Sequence, residues 1–194
     1  ARPSEARRAV FAWSHMWEAP NPRYGHWNAD FPYVSALACT EPIRDEQRAA
    51  RLQASRQALA GLTPEFAALG IQLALEDLPR TCLGNTSDEV LWLIRDINGL
   101  GICLDTNHLL KETPQEFIRK LRARIVTMHA SDYDGKDERH WMPGEGINGW
   151  KLLVKSLAAA GYEGPFMFET HKHKDGRPIQ AEEYARFVAL HPLH

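Results

Sequence analysis

Short apolar runs alternate with stretches of helical period from residue 34 to the end of the chain. Val34–Cys39, Ile71–Leu75, Ile102–Leu104, Ile125–Met128 and Pro165–Phe168 have the length and apolar density of buried strands. Between them, Arg44–Leu62 is rich in Ala, Leu, Gln and Arg at helical spacing, and Thr63-Pro64 opens a second helical stretch that stops at Gly70. Ser87–Ile97 is amphipathic and ends at Asn98-Gly99. Thr113-Pro-Gln-Glu116 is a capping box with proline at the first helical position, predicting a helix to about Ala123. Trp150–Ala160 and Ala181–Leu190 complete the set. Strands that alternate with helices predict a parallel sheet with right-handed crossovers.

Residues 1–33 break this pattern. They carry Trp13, Trp17, Trp27, His15, His26 and several prolines, and Ala9–Trp13 is the one stretch there that reads as a strand. Repeats, low-complexity tracts and linkers are lacking, so residues 1–194 are expected to form one domain with an atypical start. Composition narrows the classes further. A net charge of −2 offers no general attraction for nucleic acid or membrane. No apolar run approaches the roughly 20 residues of a membrane span, and no signal peptide is evident. Three scattered cysteines, Cys39, Cys82 and Cys103, are expected to be reduced, and the cytoplasm is the expected compartment.

Polar residues at the strand ends carry the chemistry. Glu76, Asp105, His129 and Glu169 each follow one of four consecutive strands. In parallel α/β folds the carboxyl ends of the strands form the site-bearing face. A lone acidic residue after a strand is usually a cap or a solvated loop residue. Four in succession, all able to bind a metal, point to one site. Three carboxylates and an imidazole are oxygen-rich and suit Mn²⁺ first, with Mg²⁺, Co²⁺ or Zn²⁺ as other occupants. Such a cation polarises a carbonyl, and a flanking carboxylate can take the adjacent proton.

The segments Leu75-Glu-Asp-Leu-Pro79, Leu104-Asp-Thr-Asn-His108, Met128-His-Ala-Ser-Asp132, His140-Trp-Met-Pro-Gly-Glu-Gly146 and Gly161–Glu169 resemble, in this order, the xylose isomerase-like TIM-barrel superfamily. That group includes sugar and sugar-phosphate isomerases, ketose 3-epimerases and class-two AP endonucleases. The resemblance covers about residues 34–170 and implies a (β/α)8 barrel, incomplete at its N-terminus because too few residues precede Val34. It implies Glu76, Asp105, His129 and Glu169 as metal ligands, with Glu76 and Glu169 doubling as the acid/base pair. It implies His108 and His140 at substrate oxygens, with Glu145 close by. The ketose epimerases carry an arginine six residues after the histidine ligand. Here that position is Gly135, leaving Arg139 or Lys136 to substitute. The expected partner is a sugar or sugar phosphate, without nucleic acid or membrane, and a homo-oligomer would cover exposed strand edges.

Two other functions compete. An AP endonuclease would hold three zinc ions and needs early histidines, for which His15 and His26 are the candidates; Glu138-Arg139-His140 approximates its late acidic-x-His pair. A truncated barrel could also bind metal without turnover. His171 and His173, flanked by Lys172 and Lys174, read as a solvated loop. Gly144 and Gly146 read as backbone shaping beside the site rather than a phosphate cradle.

Overall fold

The computed structural model describes residues 7–11 and 45–192. Val34–Cys39, Cys39 itself, the three early tryptophans, His15 and His26 lie outside the described residues. Five strands form one sheet: β1 (Arg7–Phe11), β2 (Ile71–Glu76), β3 (Gly101–Asp105), β4 (Ile125–Ala130) and β5 (Phe166–Phe168). All neighbours are parallel and the spatial order is β1-β2-β3-β4-β5. Helices α1 (Asp45–Ala68), α2 (Ser87–Ile94), α3 (Pro114–Leu121), α4 (Trp150–Ala159) and α5 (Ala181–Leu190) alternate with the strands. A parallel sheet whose spatial order equals its chain order winds in one direction, as a barrel does and a doubly wound sheet does not. The architecture is thus a TIM-type barrel, partial over the described residues.

Alternation along each strand separates two faces. Leu73, Leu75, Ile102, Leu104 and Met128 pack outward into a core with Leu59 of α1, Val90 and Leu93 of α2, Phe117 and Leu121 of α3, and Leu153 and Leu157 of α4. Every residue of β3 is buried, as expected for the middle strand of a sheet covered on both sides. The other face carries Glu76, Cys103, Asp105, Thr127, His129 and Met167. Between β3 and β4 the register shifts at Ile102/Cys103, so Val126 is an extra residue. It lies over Gly101, where any side chain would collide with it. The shift brings Asp105 opposite His129.

Three boundaries differ from the sequence pattern. β1 sits two residues earlier than Ala9–Trp13. The two helical stretches on either side of Thr63-Pro64 form one helix, α1, with Pro64 inside it. Proline removes the amide that would bond Ala60, but Ala60 is exposed and its carbonyl can turn to water. The buried Thr63 hydroxyl donates to the Leu59 carbonyl at 2.6 Å, and Leu52, Leu59, Leu62 and Phe66 bury on both sides of the proline. Packing therefore holds the helix through a residue that local propensity would use as a stop. Conversely α2 ends at Ile94 rather than Ile97, because Asp96 adopts a left-handed φ of 62°. Arg124 then donates to the carbonyl of Ile94 at the helix end and to those of Ile97 and Leu100 just beyond it. The Thr113 capping box forms as expected.

Candidate metal centre

Each of the four strand-end residues reaches the inner face through its own strand. Glu76 closes β2, Asp105 closes β3, His129 is the penultimate residue of β4, and Glu169 follows β5, its amide donating to Ala130. Their side chains converge. His129 Nδ1 lies 2.8 Å from Glu76 Oε1, 2.7 Å from Glu169 Oε2 and 3.7 Å from Asp105 Oδ2. One ligand atom from each residue falls within 4.8 Å of every other. Ligands on an ion at ~2.1 Å are about 3 Å apart when adjacent and about 4.2 Å when opposite, so this spread suits a single cation. Asp105 Oδ2 is buried without a hydrogen-bond partner, which a cation would supply. Three carboxylates around one imidazole nitrogen are the oxygen-rich donor set of Mn²⁺ or Mg²⁺ rather than of a structural zinc.

Burial grades the set. Asp105 is fully buried and Glu76 nearly so, whereas the Glu169 side chain is 43% exposed. Burial pushes the Glu76 carboxyl above its ordinary range, against the pull of His129. The hydrogen bond from His129 holds the Glu169 carboxyl below its ordinary value. Burial opposes ionisation of Asp105 too, but the charges of His108 and His129 and the Asn107 amide overcome it and lower its pKa. His129 is raised because its carboxylate partners outweigh desolvation. Behind them Cys103 is a buried thiol pushed up to about 12 by burial.

The surroundings hold the ligands in place. The Asp105 amide donates to Asp77 Oδ1 at 2.7 Å, and Asp105 Oδ1 accepts from the Asn107 amide at 2.7 Å. His108 is buried: Nδ1 faces the Asp77 carbonyl at 2.8 Å, and Nε2 faces Glu138 Oε1 at 3.0 Å and Asp105 Oδ2 at 3.5 Å. Both nitrogens face acceptors, so the ring is an imidazolium. Desolvation works against that charge, but Asp105 and Glu138 prevail and its pKa is raised. Arg80 in turn pairs with Asp137 and Glu138. His140, with a left-handed φ of 50°, lies 3.1 Å through Nδ1 from the Glu169 carbonyl and stacks on His171 at 4.5 Å. Strained backbone of this kind gathers at functional sites.

Comparison with known proteins gives the family. The sequence model of the xylose isomerase-like TIM barrel matches residues 31–190. The chain belongs to the xylose isomerase-like TIM-barrel family. An uncharacterised protein of Methanocaldococcus jannaschii is 33% identical over 114 residues, which is 55% of this chain and 39% of that one. A ketose 3-epimerase of Arthrobacter globiformis is 30% identical over 126 residues, 63% of this chain and 43% of that one. Among solved structures, a D-tagatose 3-epimerase-like protein superimposes with a TM-score of 0.63 at 25% identity, over 75% of this chain and 55% of that one. A D-psicose 3-epimerase gives 0.65 at 18% identity, over 80% and 60%, a likeness of fold. The chain thus spans less than half the length of these two sequence relatives. Among the described residues no helix is long and apolar enough to cross a membrane.

Within this family framework the other sequence candidates separate. His108 and His140 border the cluster. Arg139 is 40% exposed and its Nε donates to Asp134 Oδ2 at 2.8 Å. Glu145 is engaged elsewhere: Oε1 lies 2.7 Å from His173 Nδ1, and Oε2 accepts from the Lys174 amide at 2.6 Å. The reading of His173 as a solvated loop residue is corrected. It is 3% exposed, because two carboxylates from other segments close over it, while His171 beside it is exposed. Gly146 shapes the backbone as expected, since a side chain there would meet Tyr133 and Asp132.

Sequence reading missed Asp77, Asn107 and Asp132. Asp132 is fully buried and accepts only: from the Tyr133 and Asn148 amides on Oδ1, and from the Gly144 amide and Trp150 indole on Oδ2. Asn107 accepts the Arg139 amide at 3.1 Å. Their partners lie up to 33 residues away, and the only local signal was their position just beyond a strand end.

Proposed function

We propose that this protein is a divalent-cation-dependent sugar or sugar-phosphate isomerase or epimerase. The observation that carries the reading is the convergence of Glu76, Asp105, His129 and Glu169 on one point at the carboxyl ends of adjacent parallel strands. These four residues would hold the ion, with Mn²⁺ the expected occupant. When bound, the cation supplies Lewis-acid polarisation of a substrate carbonyl, which acidifies the neighbouring C–H. Glu169, the most exposed of the carboxylates, accepts that proton from one side of the substrate. Glu76, on the other side of the substrate, returns a proton, and the roles exchange in the reverse direction. His140 lines the rim beside Glu169, while His108 and Arg139 would contact substrate oxygens by exchanging a partner, Glu138 for His108 and Asp134 for Arg139. Names of similar proteins, a ketose 3-epimerase and a D-tagatose 3-epimerase-like protein, support a ketose as the first substrate class to assay.

The test combines metal analysis with turnover in heavy water. The expected result is one Mn-like ion per chain and ketose interconversion with deuterium at the exchanged carbon. A product free of deuterium over many turnovers replaces proton transfer with hydride shift, and a protein that neither binds metal nor exchanges any sugar overturns the proposal.

One observation favours a second reading. His108, Glu138 and His140 form another group with ligand atoms within 4.8 Å, as a multi-zinc AP endonuclease would require. Against it, Glu138 is already paired with Arg80, and net charge is −2. More than one zinc per chain together with cleavage of an abasic-site oligonucleotide would select it.

A further inference from the structure

We infer that His173 is a positioning residue, a charged latch that holds the two rim loops in register so that Glu169 and His140 face the metal centre. The inference rests on the reading of Glu169 as a ligand, and its geometry stands apart from the ligand cluster. His173 lies in the loop after β5. Nδ1 is 2.7 Å from Glu145 Oε1 in the loop after β4, and Nε2 is 3.1 Å from Glu183 Oε2 in the first turn of α5. A carboxylate only accepts, so both ring nitrogens must donate, and the ring is an imidazolium tying three segments together. A neutral ring would set one bare lone pair against a carboxylate.

The two loops are laced along their length. The His171 amide donates to the His140 carbonyl at 2.8 Å, Trp141 bridges to Lys172, and Lys174 Nζ lies 5.0 Å above the Trp141 ring. One end of this lacing is His140 against the Glu169 carbonyl, and the other end is the His173 latch. β5 is only three residues long and Glu169 lies just beyond it, so the strand alone constrains that side chain weakly. Other charged groups around the latch are Asp175 and Arg177, which pair with each other, while the Arg177 carbonyl accepts from the His173 amide and the Lys174 amide donates to Glu145. Both carboxylates raise the His173 pKa above its ordinary value. The sign follows: the latch is complete below the unfolded pKa of about 6.5 and is lost as pH rises through the raised folded value.

The experiment is ¹⁵N NMR of the ring, amide hydrogen exchange and Mn²⁺ titration on the wild type, His173→Gln and the milder Glu145→Gln. The expected result is a doubly protonated His173 ring at pH 7. Exchange in residues 140–146 and 170–175 should rise about tenfold in both variants, with the sheet unchanged, and Mn²⁺ should bind about tenfold more weakly, as for other groups that support a ligand. Raising pH should reproduce the local exchange in the wild type alone. A neutral ring at pH 7, unchanged loops, or acceleration spread over the whole chain would overturn the latch. Local acceleration in a protein that binds no Mn²⁺ would keep the latch and remove the metal-dependent function.

Discussion

The two halves of the candidate metal centre are built differently. Glu76 and Asp105 rise from β2 and β3, whose residues at the carboxyl ends are all buried and whose outward side chains are locked into the main core. Asp105 needs little besides its strand, the Asp77 carboxylate and the Asn107 amide. On the other side, β5 is short and its residues are partly exposed, with Met167 at 45% on the inner face. Glu169 there depends on loops, on His140 and His171 and more distantly on Asp132 and His173. On the proposed reading the contrast divides the candidate ligands into a desolvated half seated in the core and a solvent-facing half whose carboxylate is open to exchange protons.

Asp105→Asn strikes the desolvated half hardest. It removes one anionic ligand from a fully buried position, and Mn²⁺ affinity is expected to fall by more than ~100-fold with loss of turnover. Isothermal titration checks this, and near-normal binding would show that Asp105 does not face the ion.

Glu169→Gln tests the open half. Binding should weaken by no more than ~10-fold while kcat drops by ~100-fold or more, as expected when a general base is lost. A variant near wild-type rate would make Glu169 a ligand alone and erase the division of tasks.

The support beneath the open half is probed by Asp132→Asn. An amide NH2 would face two donors where a carboxylate oxygen accepted both, costing about 2–3 kcal/mol. Urea unfolding should show the loss, with the midpoint shifted and the slope kept. A midpoint within experimental error of wild type would mean that the four-donor arrangement contributes little.

The smallest effect belongs to Cys103. Buried in β3 and pushed up to about 12, its thiol should resist iodoacetamide at pH 8 in the native protein and react only on unfolding. Rapid native labelling would show that the desolvated half opens.

The four proposed ligands could be read from the chain because each stands at the end of an apolar run, and in a parallel sheet such ends share one rim. The same logic exposed the capping box and the alternation of strands and helices, hence the parallel sheet, while the barrel class followed from the resemblance of the strand-end motifs to a known family. Residue type and linear spacing suffice for such features, since the governing interactions lie within a few positions. Tertiary structure alone decided the rest. Pro64 looked like a helix boundary until burial on both sides carried α1 through it. His173 looked like a solvated loop residue and Asp132 drew no reading of its own, yet the His173 partners lie 10 and 28 residues away and three of the four Asp132 donors lie 12 to 18 residues away. A carboxylate or imidazole announces what it can bind; which donors and acceptors reach it, and whether water is excluded, is fixed only when distant segments pack together. That is why this sequence states the chemistry of its rim but not the scaffold that aims it.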